Sequence, residues 1–116
     1  MLKAPKKNHE QWEEACYRAC FAYADEISAL PDFADILTDK SAEEAADELT
    51  YQREYLAKRI EKKNVRPLDF LAFNVAAIEN EMVNGRWVSA QEKIFDAIAV
   101  LLRLDDAVRI AKEQIG

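Results

Sequence analysis

The stretch SAQEKIFDAIAVLLRLDDAVRIAKEQI, residues 89–115, decides the fold. Within it Ala97, Leu101, Leu104, Val108, Ala111 and Ile115 recur at alternating steps of four and three. Ile94, Phe95, Ile98 and Leu102 widen that seam into a broad apolar face, the pattern of a helix covered along one side. The other segments can fold only by covering this helix. The expected class is all-α: four long antiparallel helices plus one short helix in a single compact bundle.

Upstream, the helix starts are marked by capping chemistry. Asn8 with Gln11, Ser41 with Glu44 and Ser89 with Glu92 each place a capping side chain three residues before an amide or acid that can answer it. The first helix is expected from residue 9 to about Leu30, stopping at Pro31, with a stripe of Trp12, Cys16, Ala19, Tyr23, Ile27 and Leu30. Residues 31–37 read as a short helical turn. The helix after Ser41 has Ala42, Ala45, Leu49, Leu56 and Ile60 on its inner face and ends near Asn64 or Val65. Pro67 fits the first turn of the next helix, whose inner seam is Leu68, Leu71, Val75, Ile78 and Met82 and whose stop is Asn84-Gly85. Residues 1–8 are expected to form a flexible basic arm, and 9–116 a single helical-bundle domain.

Composition excludes several chemistries. Half of the 116 residues are apolar, enough for one domain with a modest core. Gly85 is the only glycine inside the chain, which excludes Gly-rich phosphate loops and a turn-rich β fold. No segment has the apolar length to cross a bilayer, and the start lacks a signal-peptide hydrophobic region, so the cytoplasm is the expected location. Cys16 and Cys20, one turn apart on one helix, suit free thiols better than a disulfide. His9, Cys16 and Cys20 share a face, yet no fourth ligand accompanies them, so no metal and no cofactor are expected. Ser41 and Ser89 are used as caps, Ser28 has no nearby base and His9 is the only histidine, so no nucleophilic site is expected.

Charge is unevenly spread within a net −6. Residues 9–57 carry 13 acids against 3 bases, and residues 58–66 carry 5 bases against 1 acid. Lys58, Arg59, Lys62, Lys63 and Arg66 oppose the negative end of a helix dipole. They lack the interleaved aromatics of nucleic-acid modules, so direct nucleic-acid binding is not expected. The acidic surface consists of Glu10, Glu13, Glu14, Asp25, Asp32, Asp35, Asp39, Glu43, Glu44, Asp47 and Glu48.

Three functions follow from these features. Tyr17, Phe21, Phe70 and Phe73 lie away from the main stripes of their helices, with Tyr51 and Tyr55 flanking the inner face of theirs. Either these rings form an interface, or the helix carrying Phe70 and Phe73 is central and buried on two sides. Asp105 falls inside the apolar seam, with Arg109 one turn on, as a local ion pair or a polar contact that sets register across an interface. The leading expectation is a non-enzymatic protein–protein interaction module that self-associates as a homodimer or larger homo-oligomer. The second is an acidic nucleic-acid mimic that inhibits a host protein, as phage-borne anti-defence proteins do. The third comes from Glu43-Glu44-Ala-Ala-Asp47, which resembles over one helical turn the Glu-Glu-x-x-Glu pattern of the all-α nucleotide pyrophosphohydrolases. That resemblance implies Mg²⁺-dependent hydrolysis. The chain departs from the family in its third acid, Asp47, and in having no Glu-x-x-Asp pair after residue 60.

Overall fold

A computed structural model describes residues 8–29 and 38–115. Four helices account for nearly all of them: α1 (His9–Ala29), α2 (Ala42–Glu61), α3 (Pro67–Val83) and α4 (Trp87–Ile115). The short helix expected at 31–37 lies outside the described residues. By contact the chain separates into two units, one of Met1–Leu37 with Asp105–Gly116 and one of Thr38–Leu104.

Two of the expected helix starts are set by local hydrogen bonds and a third by proline. At α1, the Gln11 N–H donates to Asn8 Oδ1 at 2.9 Å and the Asn8 N–H donates to Gln11 Oε1 at 3.1 Å, a complete capping box. At α2, the Glu44 N–H donates to Ser41 Oγ at 3.1 Å. Pro67 opens α3, where its missing N–H costs nothing. The expectation at Ser89 is corrected: α4 begins two residues earlier, at Trp87, and Ser89 lies within its first turn. The Ala90 N–H donates to Arg86 O at 2.9 Å, so the helix starts straight out of the Gly85 turn.

α2 and α3 end in the same way. After α2 the Lys63 N–H reaches Ile60 O and the Asn64 N–H reaches Arg59 O, both at 3.0 Å. After α3 the Gly85 N–H reaches Met82 O at 3.0 Å and the Arg86 N–H reaches Glu81 O at 2.9 Å. Both are Schellman closures, which need one left-handed residue. Gly85 adopts φ +71° without a Cβ penalty, but Lys63 adopts φ +58° with one.

Inside Thr38–Leu104, α2 and α3 pack on each other. The buried apolar residues there are small: Ala45, Ala76, Ala77, Ala90 and Ala97. The seam expected to face inward on α3 is only partly covered, with Leu71, Ile78 and Met82 half-buried. Leu68 and Val75 are half or more exposed, at 50% and 56%, while Asp69, Ala76, Ala77 and Glu81 are buried. The most deeply buried positions of α3 therefore carry small and charged residues, beside half-buried Leu71, Ile78 and Met82. The α4 seam is likewise only partly covered. Ala97 is buried and Leu104 half-buried, whereas Leu101, Val108 and Ile115 are exposed.

Candidate interaction surfaces

The tightest polar arrangement is a clasp between α2 and α3 that the sequence reading missed. Asp69 stands three residues after Arg66 at the start of α3, and its carboxylate takes four donors. The Arg66 N–H donates at 2.8 Å, Arg66 Nη2 at 2.8 Å, Arg66 Nε at 3.4 Å and Arg59 Nε at 3.2 Å. The hydrogen bond from the Arg66 side chain is the chief cause that lowers the Asp69 pKa from 3.8 to about 2, against the opposing effect of burial. The Arg66 pKa is raised in return, first by that same bond. The sequence signal was present: an acid at the third helical position after a Pro-marked start is half of a capping box. Arg59 also lies 5.6 Å from the Tyr55 ring, and Tyr55 stacks on Tyr51 with centroids 6.4 Å apart.

A second tie joins the chain before α2 to the later part of α3. The Thr38 hydroxyl donates to Glu79 Oε2 at 2.7 Å, and Lys40 Nζ lies 3.0 Å from Glu79 Oε1. Those two partners hold the Glu79 carboxyl below its ordinary pKa, the Thr38 bond foremost. Between this tie and the clasp lies an open cavity of about 350 Å³, lined by Glu48, Gln52, Leu68, Leu71 and Val75 among others. Across the Gly85 turn, Arg86 Nε donates to Glu81 Oε2 at 2.6 Å and keeps that carboxyl ionised below its usual range.

The expected interface residues occupy different settings. Tyr17 and Phe21 on α1 are about 70% exposed. Phe70 is at the margin of exposure and lines a cavity of about 360 Å³ with Val65, Pro67, Ala99, Val100, Arg66 and Arg103. Phe73 is half-buried. Tyr51 is exposed and Tyr55 marginally so. Asp105 is exposed, and the buried acid of α4 is its neighbour Asp106. Arg109 pairs with Asp106 at 3.9 Å and with Glu113 at 3.5 Å. Asp105 and Arg109 instead line one cavity of about 320 Å³ with Gln11, Glu14, Arg18 and Lys112.

Of the acidic residues, Glu10, Glu13, Glu14, Asp39, Glu43, Glu44 and Asp47 are exposed, and Glu14 pairs with Arg18 at 3.0 Å. Glu48 is half-buried and accepts from Gln52 Nε2. Asp32 and Asp35 lie outside the described residues, as do the side chains of Asp25 and His9. Among the described residues, no three His, Cys, Asp or Glu side chains are grouped to hold a metal ion, so Glu43, Glu44 and Asp47 are not gathered at a point. Cys16 and Cys20 are free thiols. No helix among the described residues is long and apolar enough to cross a membrane. No protein-family model, curated protein or solved structure matches this chain.

Proposed function

We propose that the chain is a non-enzymatic protein–protein interaction module that assembles with copies of itself. One observation carries this reading. Within Thr38–Leu104 the buried apolar residues are alanines, while Leu68, Val75, Trp87, Val88, Phe95 and Leu101 are exposed. Alanine burial removes little apolar area from water; Leu49, Leu56, Leu71, Phe73, Ile78 and Met82 are only half-buried, and the exposed side chains could supply more. Soluble monomers keep contiguous apolar patches small, so such faces mark a surface that another protein covers.

In this reading α2 and α3 run antiparallel. The Arg59–Asp69 clasp joins the end of α2 to the start of α3, and the Lys40–Glu79 tie joins the chain before α2 to late α3, as that arrangement requires. The free thiols fit a reducing compartment, the cytoplasm.

The test is solution mass by light scattering over a range of protein and salt concentrations. A mass of at least twice the 13.3 kDa chain is expected, and it should persist in high salt because apolar burial is not screened. A mass of one chain at every concentration overturns the proposal.

A further inference from the structure

α4 carries two stripes of residues at 3.5-residue average spacing, and they differ in size and in burial. Ala90, Lys93, Ala97, Val100 and Leu104 form the inner stripe, all buried or half-buried. Trp87, Gln91, Ile94, Ile98 and Leu101 form the outer one, and each of its members is exposed. Val88 and Phe95, at 71% and 68% exposure, stand along one edge of the outer stripe. Steps of four, three, four and three are the spacing of a narrow seam between two supercoiled helices, narrower than the broad face a globular core covers.

We propose that this outer stripe is a coiled-coil seam and that its occupant is α4 of a second copy of this chain. The inference rests on the self-association reading and names its surface. Three observations support it. The spacing is compatible with a helical partner of the same period, and α4 is such a helix with its outer stripe exposed. The side of α4 that is already covered is the inner stripe, where Ala90 and Ala97 are 3% and 9% exposed, so the outer stripe is the side left open. The available area also suits a dimer: Trp87, Val88, Ile94, Phe95, Ile98 and Leu101 together expose on the order of 700 Å², against about 800 Å² per partner in a standard interface. Gln91 supplies a polar position in the seam, the device that selects register between paired helices.

The experiment uses full-length chains and light scattering, with helicity followed by circular dichroism. Ile98→Glu should raise the dimer dissociation constant at least about tenfold while helicity stays constant, because Ile98 is solvent-exposed in the single chain. Mixing Ile98→Glu chains with Ile98→Lys chains, or with Ile94→Lys chains, should restore the dimer. Rescue by the first mixture supports parallel pairing and rescue by the second antiparallel pairing, and both place α4 against α4. Three results overturn the seam. A dimer indifferent to Ile98→Glu overturns it and leaves self-association through another surface standing. Dissociation that neither lysine variant rescues means that α4 meets some other surface of the second copy. A wild-type chain that is monomeric throughout removes both the seam and the reading beneath it.

Discussion

α3 holds α2 with one carboxylate and a few alanines, whereas α1 offers Trp12, Tyr17, Phe21 and Tyr23 and leaves all of them more than half exposed. The two regions solve opposite problems. At the joint between α2 and α3 the buried groups are small or charge-matched, so backbones approach closely and each buried acid is satisfied. That joint closes within one chain. Large rings gain stability only when a second surface removes them from water, and α1 shows none of its rings so covered. The rings of α1 are therefore the apolar surface left outward in this comparison.

The comparison is broken most severely at Asp69. Replacing it with Asn removes the charge that two guanidiniums share, leaving Arg59 half-buried beside a neutral amide. The expected result is the largest fall in melting temperature of any single change named here, on the order of 10 °C. The pH dependence has a fixed sign. Because folding lowers the Asp69 pKa, its stabilisation is full above the ordinary carboxylate value of 3.8 and is lost as pH falls towards about 2. Thermal melts of wild type between pH 5 and pH 2 should lose stability in that window, and the Asp69→Asn chain should lose less.

A second break tests close approach. Ala45 is 1% exposed, so Ala45→Leu should overpack the site and destabilise by about 1–3 kcal/mol in urea denaturation. A neutral or stabilising result would mean that the site has room for a larger side chain. Lys63→Gly sharpens the comparison in the other direction. It relieves the left-handed strain at φ +58° and matches the Gly85 closure of α3, so a gain of about 0.5–1 kcal/mol is expected. The smallest effect belongs to α1. Tyr17→Ser with Phe21→Ser should change the unfolding free energy by less than about 0.5 kcal/mol, since both rings already face solvent. A large loss would show that these rings are covered in solution.

Much of this was legible locally. The Asn8 box, the Ser41 cap, Pro67 and the Asn84-Gly85 stop all rest on groups within a few residues of each other, so the chain alone specifies them. Ser89 misled for an equally physical reason. Its spacing to Glu92 is that of a capping box, but Trp87 and Val88 continue the helix out of the Gly85 turn. Asp69 was half legible, because its bond to the Arg66 N–H is local while its bond to Arg59 spans two helices.

Taken by itself, the amino-acid order determined that the chain is helical, where α1, α2 and α3 start, and that α2 ends on cations and α3 on glycine. These follow from hydrogen bonds and dihedral preferences of short range. Only the tertiary structure decided which side of each helix is covered. On α3 the stripe of Leu68, Leu71, Val75, Ile78 and Met82 had the stronger apolar pattern, yet it is at most half-buried, while Asp69, Ala76 and Ala77 are buried. On α4 two stripes share one period, so the pattern could not choose between them. Close packing chose the alanines, because short side chains let helices approach and longer ones hold them apart.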